Sequence, residues 1–282
     1  MSRFSNRVKH SLSWVIFILF TGGVLLSACQ NSPFSAETAK QYPQAEVVFQ
    51  VTLPSAIPQD AKLMFELVDD VTGLAFNPTR YEMTQQDERT YFVKLDLVIG
   101  SAIKYRYVRQ ADVSTVEYDA RGSQVRFRLA EVNGPAIFQD SVSGWVDQSF
   151  SGKVGRITGQ LFDAANNTPL QNLLICADGL QTTTSSDGTF ILEGASVGTH
   201  NLVAFSMDGA YASFQQGVVV SEGANTPVVA AINKRPQVNV TFNVTLPKGF
   251  VTDLPLRLAT NLQSLGNAYN DLSSGSTMDA AN

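Results

Sequence analysis

The sequence predicts an all-β chain of tandem antiparallel β-sandwiches behind a cleaved leader. Three observations predict it: apolar and polar residues alternate with a period of two over successive short stretches, Gly, Pro and Asp punctuate the gaps, and no stretch from 46 to 150 carries a helical period. The 44% apolar and 16% charged content is that of a globular protein with a packed core, and 282 residues leave room for two or three modest domains.

The leader, residues 1–28, begins with Arg3, Arg7 and Lys9 and continues with an apolar run from Trp14 to Leu26. A bilayer core needs about 20 apolar residues in a helix, and this shorter run is interrupted by Thr21, Gly22 and Gly23. Leu26-Ser27-Ala28-Cys29 then resembles the acylation signal of bacterial lipoproteins, which implies that Cys29 becomes the lipidated first residue of the mature chain. The alternative is an uncleaved membrane anchor. Each buried methylene contributes about 0.8 kcal/mol, so several acyl chains hold stably to a membrane. The chain beyond Cys29 is then expected outside the cytoplasm. Residues 29–45, polar and broken by Pro33 and Pro43, read as a tether.

From 46 to 150 the chain reads as strands. Val47, Phe49, Val51 and Leu53 alternate with polar neighbours, as do Tyr91, Val93, Leu95 and Leu97, and then Ile103, Tyr105 and Tyr107. A last alternation sets Val125, Phe127 and Leu129 on a core face with Arg126 and Arg128 opposite. Strands joined by turns alone imply an antiparallel sandwich.

Residues 153–235 carry Gly159-Gln160-Leu161-Phe162-Asp163, Thr168-Pro169-Leu170, Ser186-Asp187-Gly188-Thr189-Phe190-Ile191-Leu192 and Val197-Gly198-Thr199-His200-Asn201-Leu202. This pattern resembles the carboxypeptidase regulatory-like family, which implies a transthyretin-like sandwich acting as a spacer or accessory module. Asp187-Gly188 marks a hairpin. Asp163 and Asp187 are conceivable calcium ligands, although turn formation accounts for both.

The chain also repeats itself. Val47 to Pro54 returns as Val240 to Pro247, and the same offset carries Asp60 to Asp253, Leu63 to Leu256, Gly73 to Gly266 and Asn77 to Asn270. Residues 238–282 therefore read as the opening of a second copy that lacks the strands needed to close a sandwich. That predicts unpaired edges, an uncovered apolar face and a longer parent protein.

In the second copy Asn261-Leu262-Gln263-Ser264-Leu265-Gly266-Asn267, and in the first Ile103-Lys104-Tyr105-Arg106-Tyr107-Val108 with Val116-Glu117-Tyr118-Asp119, are similar to segments of the starch-binding type of carbohydrate-binding module. The resemblance covers most of one copy and the opening of the other. It implies glucan binding on aromatic platforms, with Arg106, Glu117 and Tyr269 as the carried-over site positions. The two tryptophans of the family pattern are replaced here by Val116 and Ala268, so Phe76, Tyr81, Phe92 and Trp145 enter as substitute platforms.

Composition excludes several classes. The formal charge of −5 becomes −8 once Arg3, Arg7 and Lys9 leave with the leader, and the remaining basic residues are dispersed, which argues against nucleic acid as a partner. Cys176 is the second of two cysteines and reads as apolar strand filling, and His200, the only histidine after the leader, reads as a solvated turn-edge residue. No cofactor, metal site or catalytic constellation is visible. The expectation is a lipid-anchored extracytoplasmic binding or display protein, whose partners are a membrane through its anchor and a glucan or other polysaccharide. The alternatives are an accessory part of a larger exported polysaccharide hydrolase and a structural or adhesive surface lipoprotein.

Overall fold

The computed structural model describes residues 42–69, 74–75, 77–250, 254–258 and 276–278, and every regular element among them is a strand. None of them forms a helix long and apolar enough to cross a membrane. The first sandwich contains β1 (Gln44–Thr52), β2 (Lys62–Leu67), β3 (Thr79–Glu82), β4 (Thr84–Gln85), β5 (Thr90–Val98), β6 (Ala102–Gln110), β7 (Thr115–Val116), β8 (Arg128–Glu131) and β9 (Ala136–Ser141). One sheet runs β4-β5-β1-β9; the other runs β3-β2-β6, with β7 and β8 sharing the far edge of β6.

The alternation read in β1 and β5 is realised. Val47, Phe49, Val51 and Leu53 are buried, and Tyr91, Val93 and Leu95 face them from β5 in antiparallel register. Phe49 meets Phe65 of the opposite sheet at 4.5 Å between ring centroids, and Tyr105 at 4.8 Å, so aromatic contacts tie the two layers together.

The second sandwich contains β10 (Val154–Asp163), β11 (Leu174–Ala177), β12 (Leu180–Thr183), β13 (Thr189–Ser196), β14 (Gly198–Phe205), β15 (Phe214–Val220) and β16 (Asn225–Ile232). Its sheets run β13-β10-β16 and β12-β11-β14-β15. Gly159 shows why one position rejects a side chain: a Cβ there would lie 2.4 Å from the Phe190 ring and 2.4 Å from the Val228 carbonyl oxygen. Asp187-Gly188 forms the expected tight turn, with Gly188 at φ 76° and its N–H on the Ser185 carbonyl, but not a hairpin: it carries the chain from β12 in one sheet to β13 in the other.

In both sandwiches the first strand pairs in parallel with the last, β1 with β9 and β10 with β16. Parallel neighbours run in the same direction. The chain therefore enters each sandwich at one end and leaves at the other.

Strand β8 departs from its expected orientation. Phe127 and Leu129 turn outward into a cluster with Val68, Cys176 and Val203, while Arg128, Ala130 and Val132 are the buried residues on the inward side. The second sandwich covers the outer face of this strand, so both faces are buried. Its open backbone edge is covered too: Gln181 Nε2 donates to the Phe127 carbonyl at 2.8 Å and Asn201 Nδ2 to the Leu129 carbonyl at 3.3 Å. Gln215 clasps Glu131, accepting from its N–H at 2.8 Å and donating to its carbonyl at 3.1 Å. Side-chain amides thus do what a neighbouring strand would do.

The internal repeat has a structural counterpart. In the first copy Met64 pairs with Glu82, Phe65 with Tyr81, and the Met83 N–H reaches the Leu63 carbonyl. In the second, β17 (Arg257–Leu258) pairs with β18 (Ser276–Thr277), Arg257 opposite Thr277 and Leu258 opposite Ser276, while the Met278 N–H reaches the Leu256 carbonyl. The same hairpin forms around a longer connection. The counterpart of β1 forms no strand, and its residues Val240, Phe242, Val244 and Leu246 are exposed.

Candidate functional site

The positions singled out in the first sandwich fall in two ion networks. Arg106, on β6 opposite Glu66 of β2, donates from Nε to Glu66 Oε1 at 2.6 Å, and Arg80 of β3 donates to Glu66 Oε2 at 2.6 Å. Glu66 is fully buried, so two guanidinium groups converge on one carboxylate across three adjacent strands. Arg106 retains 17% side-chain exposure.

Glu117 comes directly after β7 and points inward. Its carboxylate accepts from Arg128 Nη2 at 2.7 Å and from the Tyr107 N–H at 2.9 Å, and it has no exposed surface. This corrects the expectation that Glu117 touches a ligand: the residue neutralises a buried arginine. Arg128, expected on the solvent face, reaches further to Asp140 Oδ1 at 3.2 Å and the Ser141 carbonyl at 2.7 Å. Asp140 accepts in turn from the Tyr105 hydroxyl at 2.8 Å and the Tyr107 hydroxyl at 2.7 Å. Burial raises the Glu117 carboxyl pKa, with Arg128 opposing; burial and the nearby Asp140 hold both tyrosines well above the usual phenol range. Every member of the network has a partner, which removes the large cost of unpaired buried charge.

Trp145 is also corrected as a platform: it is buried, with the Arg109 guanidinium 5.2 Å from its ring centroid. Tyr81 is exposed and Phe92 is half-buried. Cys29, Phe76 and Tyr269 lie outside the described residues.

In the second sandwich His200 is not a solvated residue. It is 2% exposed, and its Nε2 donates to the Ser196 carbonyl at 2.7 Å while Nδ1 faces Asp178 Oδ1 at 3.4 Å. Asp178 Oδ2 accepts from the Ser196 N–H at 2.7 Å. Asp178 and Gly179, at φ 53° and 74°, form the two-residue hairpin turn between β11 and β12. The sequence does display this signal, an Asp-Gly pair between apolar residues. What it hides is the partner, 22 positions along the chain at His200.

Asp163 and Asp187 both serve turns. Asp163 accepts from the Ala165 N–H and the Tyr211 hydroxyl, and Asp187 from Ser185 and Thr189. Among the described residues no group of three His, Cys, Asp or Glu side chains is arranged to hold a metal ion.

No family model matches the chain, and no curated protein does. Among solved structures it is similar to a family 15 glucoamylase from Hypocrea jecorina, at 12% identity and TM-score 0.28, over 37% of this chain and 18% of that one. A streptococcal ancillary pilin gives 14% identity and TM-score 0.27, over 68% of this chain and 63% of the pilin. The minor pilin of Streptococcus agalactiae gives 11% identity and TM-score 0.27, over 70% and 99%. The chain thus spans less than two thirds of the glucoamylase and of the ancillary pilin.

Proposed function

We propose that the chain is a lipid-anchored, extracytoplasmic carbohydrate-binding protein without catalysis of its own, in which two fused sandwiches form an arm that carries a binding surface. Anchoring through Cys29 rests on the acylation signal, and glycan as the ligand rests on the resemblance of the repeated unit. The observation that carries the arm is the parallel pairing of first and last strands in each sandwich, because entry and exit at opposite ends advance the chain by about 30 Å per nine-residue strand. The amide clasps along β8 then fix the two sandwiches to each other. Glu66, Glu117 and Asp140 are each engaged with an arginine, which supports a structural role for these three carboxylates.

Two measurements test this. Expression in a bacterium with labelled palmitate should label the wild-type chain and leave Cys29→Ser unlabelled; equal labelling removes the anchor. The detergent-solubilised chain should be retarded on immobilised polysaccharide without releasing new reducing ends. Passage unretarded over glucans, β-glucans and chitin would leave the structural reading in its place, and release of reducing ends would make the chain an enzyme.

A further inference from the structure

The outer face of the β4-β5-β1-β9 sheet carries a pattern that packing does not use. Phe92 points away from the core, between Tyr91 and Val93, which are buried within it. It is half-buried, whereas Phe49, Phe65, Tyr105, Tyr107, Phe138 and Trp145 of the same sandwich are all buried. On β1 its cross-strand partner is Gln50, and on β4 its partner is Thr84. Gln139 of β9 stands opposite Gln50 in the parallel ladder. One row thus runs Gln139, Gln50, Phe92, Thr84 across four strands, three strand spacings or about 14 Å.

The amides in and beside this row are held in fixed orientation by one another. Gln139 Nε2 donates to Gln50 Oε1 at 3.2 Å, and Gln50 Nε2 donates to Gln86 Oε1 at 2.9 Å. Each amide group has more hydrogen-bonding capacity than this chain uses: Gln139 Oε1 and Gln86 Nε2 end it. The adjacent row places Val48 between Ile137, which is 68% exposed, and Lys94, which is engaged with Glu46 at 3.8 Å. The row itself carries no charge.

We infer that this row, centred on Phe92 and flanked by Gln50, Gln86, Gln139 and Thr84, is a binding platform for a neutral linear polysaccharide. The inference rests on the carbohydrate-binding reading and gives it a location distinct from Arg106 and Glu117. A phenyl face fits the apolar face of a pyranose ring, and amides and a hydroxyl arrayed beside it on the same sheet face fit the hydroxyls at the ring's rim. A row that crosses four strands suits an extended chain better than a single sugar. Nucleic acid and acidic polymers are disfavoured by the absence of a free cation in the row, and an apolar peptide by its amides.

The test is titration of the full chain in detergent with a panel of soluble neutral oligosaccharides, namely maltoheptaose, cellohexaose, xylohexaose and chitohexaose, monitored by calorimetry. Phe92→Ala and Gln50→Ala should each weaken binding tenfold or more, while their unfolding midpoints stay at the wild-type value because both side chains lie on the outer face. Phe92→Trp should retain binding and show an indole emission change on addition of the saccharide that binds, since Trp145 is enclosed and silent. If the wild type binds a saccharide and both alanine variants bind it equally well, the platform is wrong and the carbohydrate-binding reading stands. If the wild type binds none of the panel, both fall together.

Discussion

Arg128 offers the sharpest test of how the first sandwich is held together. Its side chain is 5% exposed and lies between Glu117, fully buried, and Asp140, 6% exposed. Arg128→Ala leaves both carboxylates inside the protein without their cation. Asp140 keeps two phenol donors and Glu117 keeps the Tyr107 N–H, which offsets part of the loss. Removing one partner of a buried pair costs about 3–5 kcal/mol. At roughly 2–4 °C per kcal/mol for the two sandwiches unfolding together, that is a fall in Tm of about 6–20 °C. Set against a domain stability of about 5–15 kcal/mol, the variant stands near its folding limit. Trp145 is enclosed in the same core and Trp14 is the other tryptophan of the chain, so in a Trp14→Phe background indole fluorescence during urea unfolding reports on this core. Glu117→Ala should cost a similar amount. The double variant Glu117→Leu with Arg128→Met should cost less than the two alanine changes summed, because no uncompensated Arg128–Glu117 charge remains. A loss below about 1 kcal/mol in Arg128→Ala, with an unchanged slope against urea, would show that the carboxylates find other compensation and that the network is not what holds this core.

Four further outcomes are expected. Burial pushes the Cys176 thiol up to about 12, so in Cys29→Ser a maleimide at pH 8 should label Cys176 only as the protein unfolds; rapid labelling of the native chain would contradict its place in the joint. Tyr105 and Tyr107 stay neutral in the folded state well beyond the ordinary phenol value of 10.0, so the stability they contribute is present below pH 10 and is lost as pH rises through their folded values. Absorbance titration should find two phenols that ionise only with unfolding. Thr189 and Ser185 draw the Asp187 carboxyl down to about 2 from 3.8, so its contribution holds above pH 3.8 and disappears as pH falls toward 2, a loss that Asp187→Asn should not show in acid titration. Gln215→Ala strands the Glu131 N–H in the joint and should cost about 1–3 kcal/mol, read from the urea unfolding midpoint.

What the sequence displays and what it conceals differ by how many faces of a strand are buried. In β1 one face meets the core and the other meets solvent, so Val47, Phe49, Val51 and Leu53 stand out against their neighbours and the sandwich is legible. Strand β8 is covered on both faces, and its alternation of Phe127 and Leu129 with Arg128 points the wrong way. An arginine reads as solvent-facing until its acids are found, and Glu117 and Asp140 lie 11 and 12 residues distant with no local pattern linking them. The run Leu173 to Ala177 carries the complementary hint: Ile175 and Ala177 enter the second core while Cys176 enters the joint. An uninterrupted apolar strand means cover on both sides. The burial of His200 is hidden for the same reason, since a single polar residue in an apolar stretch gives no sign of the buried Asp178 that faces it at 3.4 Å.

The joint also changes what the resemblance to spacer modules implies. A spacer joined by a free linker would let each sandwich fold and move independently. Here β8, a strand of the first sandwich, has its edge satisfied by Gln181, Asn201 and Gln215 of the second, and its outer residues pack on Cys176 and Val203. Gly179 lies so close that a Cβ there would come within 2.7 Å of Val125 Cγ2. Separating the two would expose apolar side chains and unpaired backbone groups together, a cost that a hinge does not carry. The unit that unfolds is therefore the pair of sandwiches and not either one alone.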